Sequence, residues 1–303
     1  MTVARPQYLV ETAWLEAHLD DPDLRILDCS VFIAIDANGV RLDSGRGAWM
    51  ESHIPGSGFA DLLQDLSDRN SRLPFMMPAA TQFAEAMSRY GVGDATHVVL
   101  YDACGDRWAH MWAARVWWML RACGFDHAAV LNGGWHKWRS EGRPVSTETP
   151  AHPPAAFIAR PRPELWADKR EVLATIGDGH QCLVNALTPE DHAGTAVRYG
   201  RAGHIPSSVN VPTVALIDPD THAYLPEAQL RAQFETVGAL GRDRVITYCG
   251  GGIAASSDAL ILTLLGARNV AVYDGSLLEW AADPTLPMET AVTADAGPAS
   301  KAG

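Results

Sequence analysis

The sequence predicts an α/β fold built twice in tandem, each copy a mainly parallel sheet flanked by helices. Three observations predict it: a collinear internal repeat, short apolar runs alternating with helical patterns, and a Pro/Ala-rich break between the copies. The repeat runs in order. "LRILDCS" (24–30) matches "QCLVNAL" (181–187), and "ESHIPGSGF" (51–59) matches "AGHIPSSVN" (202–210). "HVVLYD" (97–102) matches "RVITYC" (244–249), and "AAVLNGGWHKW" (128–138) matches "VAVYDGSLLEW" (270–280). The pairs Asp28/Asn185, His53/His204, Tyr101/Tyr248 and Gly133/Gly275 lie 157, 151, 147 and 142 residues apart, so loops shorten in the second copy. Such a long internal period is read before any fold is named.

Each element then follows from its own pattern. "VVLY", "VITY", "AAVL" and "VAVY" are continuous apolar runs, as expected of strands buried on both faces. "MWAARVWWMLRACG" and "DALILTLLGAR" have the apolar density of buried helices, and Gly124 and Gly266 follow them as C-terminal caps. Strand–helix alternation argues for a parallel sheet in each half, with ligands at the carboxyl ends of the strands. Between the halves, "RPVSTETPAHPPAAFIARPRP" (143–163) lacks any sustained period and reads as a semi-extended linker. The domains expected are 1–145 and 164–288, with 146–163 as linker. The tail 289–303, small and polar, is expected to be disordered.

Charge and composition narrow the function classes. A formal charge of −12 without a Lys/Arg-dense stretch argues against nucleic acid as a partner, though not against small anions held by a local field. The N-terminus has no apolar core long enough for a secretory signal, and no apolar stretch approaches the roughly 18–20 residues that span a bilayer. No membrane partner is expected. Five cysteines, Cys29, Cys104, Cys123, Cys182 and Cys249, show no paired spacing, so neither a disulfide framework nor a metal site is expected. Reduced thiols fit a cytoplasmic location.

The chemistry concentrates in "YCGGGIAAS" (248–256). Cys249 ends a predicted strand and a helix is expected to begin near Ala254. A thiolate, not a thiol, is the nucleophile, and an unperturbed cysteine is mostly thiol at neutral pH. The backbone N–H groups of Gly250, Gly251, Gly252, Ile253, Ala254 and Ala255 are expected to curl towards the sulfur, adding the positive end of the helix to a nest of amides. Three glycines permit positive φ and leave room for an approaching molecule. The alternative is a buried structural cysteine at a tight turn.

The tandem repeat, "HIPGSGFADL", "VWWMLRACG…VLNGGWHKWRSEGRPV" and "YCGGGIAAS" resemble the two-domain sulfurtransferases of the rhodanese family, from about Arg25 to Pro287. The resemblance implies two tandem rhodanese-like domains and transfer of a sulfane sulfur from a small anionic donor, thiosulfate before 3-mercaptopyruvate. The sulfur passes through a persulfide on Cys249 to a thiol or cyanide, and no cofactor or metal is implied. Asp102 stands where Cys249 stands in the other copy, so the first domain is expected to lack the nucleophile and to be structural. Cys104, two residues on, is either a resolving thiol or an ordinary one. His53 and His204, present in both copies, read as turn-fixing hydrogen bonders rather than bases. Asp61 matches an acid that faces the active site in mercaptopyruvate-type members, or is a solvated loop carboxylate.

The chain also departs from the family pattern. Gly250 and Gly251 stand where thiosulfate-preferring members commonly carry cationic side chains, and Gly251 replaces the serine of the mercaptopyruvate type. The usual Asp-x-Arg reads Asn185-Ala186-Leu187, and Asp191 falls where a substrate-binding arginine is often found. Arg198 and Arg201 are the remaining candidates for substrate charge. Related single-domain phosphatases use Cys-x5-Arg; here that sixth residue is Ala255, which removes bidentate phosphate recognition. A non-enzymatic rhodanese-like binding module is the other alternative, and the intact Cys249 argues against it.

Overall fold

The computed structural model describes residues 8–36, 39–105, 110–150 and 152–291. The chain divides into two compact units, residues 1–163 with 216–226, and residues 164–215 with 227–303.

The first unit contains β1 (Leu9–Val10), α1 (Thr12–Ala17), β2 (Leu24–Asp28), β3 (Val31–Asp36), β4 (Gly39–Ser44), α2 (Arg46–Glu51), β5 (Ser57–Phe59), α3 (Ala80–Arg89), β6 (His97–Tyr101), α4 (Met111–Ala122), β7 (Ala128–Leu131) and α5 (Gly134–Ser140). Its five-stranded sheet has the order β1-β7-β6-β2-β5, with every pair parallel. The second unit contains β8 (Trp166–Ala167), α6 (Lys169–Thr175), β9 (Gln181–Asn185), α7 (Pro189–Ala193), β10 (Val209–Asn210), α8 (Glu227–Thr236), β11 (Arg244–Tyr248), α9 (Ile253–Leu264), β12 (Val270–Tyr273) and α10 (Ser276–Trp280). Its order, β10-β9-β11-β12-β8, is the same topology read from the other edge, again all parallel. The antiparallel pair β3–β4 has no counterpart in the second unit among the described residues.

Central strands are buried along nearly their whole length because helices cover both faces, which is why they read as unbroken apolar runs. Helix α4 is buried almost all round and α9 is buried at all but its last residue, Leu264, as the all-round apolar sequences require. Both helices end before left-handed glycines, Gly124 (φ +83°) and Gly266 (φ +91°).

The repeat extends to individual hydrogen bonds. Tyr101 Oη meets Ser57 Oγ at 3.0 Å, and Tyr248 Oη meets Ser208 Oγ at 2.7 Å. His53 Nδ1 donates to Trp49 O and His204 Nδ1 to His192 O, each at 2.6 Å. The paired histidines therefore pin backbone in both units.

Three stretches differ from the sequence expectation. The linker packs closely on the first unit: Phe157 is buried, and Arg160 N donates to Cys123 O at 2.7 Å. Residues 216–226, expected in the second domain, belong to the first unit, where Tyr224 N donates to Asn132 Oδ1 and the Tyr224 ring stacks on His110. Apolar Leu216, Ile217 and Tyr224 are buried there, which a local sequence pattern does not reveal. In the expected tail, Glu289 N donates to His204 O and Glu289 O accepts from His204 N; residues 292–303 lie outside the described residues.

Candidate active site

Cys249 follows β11, the middle strand of the second sheet. The chain runs from β9 out to the edge strand β10 and returns to β11 on the far side of β9, so the connection reverses direction there. The carboxyl end of such a reversal is where open parallel sheets bind ligands. Helix α9 begins at Ile253, one residue earlier than the sequence suggested, and Gly252 caps it at φ +77°. The cap residue needs a left-handed conformation, which glycine adopts without strain.

The loop is held from one side by the turn between β12 and α10. Ser276 Oγ accepts the N–H of Cys249 and of Gly252, both at 3.1 Å, and donates to Tyr273 O at 2.7 Å. Leu277 N donates to Cys249 O and Leu278 N to Gly250 O. In a trans peptide the N–H points opposite the preceding C=O. Carbonyls 249 and 250 face α10, so the amides of Gly250 and Gly251 face the other way. The Gly252 amide, counted in the expected cradle, is instead taken by Ser276. The amides of Ile253, Ala254 and Ala255 belong to the first turn of α9, where N–H groups have no intrahelical acceptor.

Helix α9 is in turn fixed to the sheet by Thr247 of β11, whose Oγ1 donates to Ala255 O at 2.9 Å, and to the 3-10 turn at Thr213–Leu216. Thr213 Oγ1 lies 3.1 Å from Ala254 O and 2.9 Å from Asp258 Oδ1. Thr213 Oγ1 thus donates within reach of both acceptors. Burial pushes the Asp258 carboxyl well above the usual range, and the Thr213 hydroxyl pulls the other way.

The first unit carries a carboxyl group at the matching position. Asp102 O accepts from Trp135 N as Cys249 O accepts from Leu277 N, so the two positions correspond. The Asp102 carboxylate accepts N–H bonds from His110, Trp112 and Ala113 at 3.1–3.2 Å, at the start of α4. Burial nevertheless raises Asp102 to about 7, with the charge of Asp28 adding to it, and burial raises Asp28 to about 6. Between pH 3.8 and about 7 these two carboxyls keep protons that the unfolded chain releases, so their contribution to stability falls as pH rises through that window. His110 and His192, each held down to about 4 by burial, contribute with the opposite sign as pH rises from about 4 to 6.5. The Asp102 contribution is therefore read as a difference: in chemical denaturation at steps between pH 4 and 8, the stability of the parent relative to Asp102→Asn is expected to fall as pH rises.

Other predicted residues have plainer tasks. Asp61 accepts the amides of Leu63 and Gln64 and the hydroxyl of Ser44, closing a turn in the first unit. Arg201 Nη1 donates to the carbonyls of Asp283 and Leu286, which ties down the end of the second unit. Arg198 pairs with Asp191, a carboxylate buried at the N-terminus of α7. Cys104 is buried, with its thiol on Val31 O, and burial pushes its pKa far up.

Two residues of this site are absent from the sequence reading. Ser276 is one. Tyr199 is the other: its ring lies against Gly250, so the room expected from that glycine is already filled. Burial, then the charges of Cys249 and Asp191, hold the Tyr199 phenol above its usual range.

Among the described residues, no cluster of His, Cys, Asp or Glu is suited to a metal ion, and no helix is long and apolar enough to cross a membrane. The family model for the rhodanese-like domain matches residues 11–141 and again 168–283. Bovine (Bos taurus) thiosulfate sulfurtransferase is 35% identical over 280 residues, covering 90% of this chain and 91% of that protein. The sulfur carrier protein TtuD of Thermus thermophilus is 32% identical over 293 residues, covering 92% and 95%. The crystal structure of the 3-mercaptopyruvate sulfotransferase SseA from Escherichia coli superposes with a TM-score of 0.78 at 30% identity, covering 89% of this chain and 99% of that one. Matched twice along its length and by relatives of equal extent, the chain belongs to the rhodanese-like family, as a member with two such domains in tandem.

Proposed function

We propose that this chain is a sulfurtransferase that moves a sulfane sulfur from thiosulfate to a thiol or to cyanide through a persulfide on Cys249. The observation that carries the reading is the placement of Cys249 at the end of the middle parallel strand, with the amides of Gly250 and Gly251 turned away from α10 and the first turn of α9 starting four residues on. Amides so placed favour a thiolate or persulfide, each charge-assisted contact contributing about 1.5–3 kcal/mol. The amides of Gly250, Gly251, Ile253, Ala254 and Ala255 form the cradle in this reading.

In the first half-reaction the Cys249 thiolate attacks the outer sulfur of thiosulfate. A sulfur–sulfur bond forms to Cys249 as the bond to the sulfonate sulfur breaks, and sulfite leaves with the electron pair. In the second, cyanide or a thiolate attacks the outer sulfur of the persulfide and the Cys249 thiolate departs. Neither step needs an oxidant. Cys249 is the sulfur carrier in this reading because it sits at a strand end against the glycine turn and the first turn of α9. Burial raises the pKa of Cys29, Cys104, Cys123 and Cys182, with Cys123 pushed up to about 12.

Thiosulfate and 3-mercaptopyruvate, assayed side by side with intact-mass detection, test the reading. One added sulfur, lost on adding cyanide, is expected. No uptake from either donor would overturn it. Preference for 3-mercaptopyruvate is the second reading, favoured by the likeness to the Escherichia coli structure. In this reading Arg198, anchored by Asp191, binds the donor. Arg198→Ala is expected to raise KM for thiosulfate by roughly ten- to a hundredfold, and added salt should act in the same direction. Steady-state kinetics with an unchanged KM would remove Arg198 from the site.

A further inference from the structure

With Tyr199 where it stands, a side chain at position 250 would run into its ring. A Cβ placed there would lie 2.2 Å from Tyr199 Cε1, 2.5 Å from Cζ and 2.7 Å from Oη. The hydroxyl end of the ring therefore occupies the place where a side chain at residue 250 would begin, one residue beyond Cys249. Rings and backbone do not approach this closely unless the position has been kept empty. The loop consequently offers no side-chain donor of its own at 250, and a phenol from the 194–203 segment stands in that position. Tyr199 adjoins Arg198, which is held by the buried Asp191.

We propose that Tyr199 is a donor-binding residue of the Cys249 site, its hydroxyl donating a hydrogen bond to the oxyanion of the sulfur donor's leaving group. This rests on the sulfurtransferase reading above. The class of donor it fits is compact, with an oxyanion next to the transferable sulfur, as in thiosulfate or a thiosulfonate. Such a group adds direction without charge: a phenol reads the position of an oxygen, whereas Arg198 answers to charge at longer range. The bond from the outer sulfur to the leaving group breaks with its electron pair going to the leaving group. Tyr199 keeps its proton throughout and stabilises charge as it grows on the leaving oxygens. The elevated phenol pKa keeps that proton in place at neutral pH.

Separate half-reactions test this. Thiosulfate is the probe for persulfide formation, followed by quenched intact mass, and cyanide the probe for discharge of the preformed persulfide. Tyr199→Phe is expected to slow persulfide formation at limiting thiosulfate about tenfold, to leave cyanide discharge within about twofold, and to melt as the parent does. A ring that only packs on Gly250 is fully replaced by phenylalanine, so parental rates in both half-reactions would overturn the proposal. A second pair guards against misfolding. Gly250→Lys alone is expected to be destabilised, while Gly250→Lys combined with Tyr199→Ala should recover the parental melting temperature; equal destabilisation in both would count against the shared space. If the parent protein takes up no sulfur, the sulfurtransferase reading fails; if it does and Tyr199→Phe equals it, the role of Tyr199 alone fails.

Discussion

Cys249→Ser is expected to abolish sulfur uptake from thiosulfate, by at least roughly a thousandfold, with little change in melting temperature. A serine hydroxyl stays protonated where a thiol ionises, and oxygen does not form the sulfur–sulfur bond that defines the carrier. The substitution keeps size and backbone, and Cys249 N and O remain bonded to Ser276 and Leu277. The other four thiols are buried with raised pKa values and are expected to contribute nothing: Cys29→Ser, Cys104→Ser, Cys123→Ser and Cys182→Ser should retain the added sulfur wherever the variant folds. Intact mass after donor treatment reads all five. A Cys249→Ser protein that still gains sulfur would place the carrier elsewhere.

Ser276→Ala carries the largest expected loss of stability. The residue is fully buried in a left-handed conformation at φ +47°, a strained position for any side chain. Its hydroxyl accepts two loop amides, and alanine would leave both buried and unpaired. Each such group costs about 1–3 kcal/mol, so a loss of about 2–5 kcal/mol is expected, or roughly 5–15 °C in Tm. Ser276→Gly relieves the backbone but not the amides, and is expected to lose activity in step with alanine. Circular dichroism melts that match the parent, with parental turnover, would show that Ser276 does not hold the loop.

The strands, the long helices α4 and α9 and the doubled order of elements were legible because each is a local pattern with its own period. Cys249 was legible for a similar reason: cysteine, three glycines and small residues are contiguous. Ser276 and Tyr199 were not. They lie 27 and 50 positions from Cys249, and each is an ordinary residue in its own neighbourhood, a serine after a glycine turn and a tyrosine in a polar loop. Their importance arises only when the sheet order brings β12 beside β11, or when a ring settles on a glycine. Arg201 and Arg198 looked equivalent in sequence for the same reason. Their acceptors, two main-chain carbonyls for one and the buried Asp191 for the other, come from tertiary structure.

The membership of residues 216–226 in the first unit bears on the order of synthesis. On a ribosome, residues 1–163 emerge without the segment that brings Tyr224 against His110 and Asn132, and it arrives only after β9 and β10 have been made. The nascent first unit must therefore wait, partly uncovered, through about a fifth of the chain's translation. At roughly 5–20 residues per second, that gap lasts several seconds, long compared with the folding of most small domains. The two halves thus mature as interleaved partners rather than one after the other, and a cut at residue 163 removes part of the first unit along with all of the second.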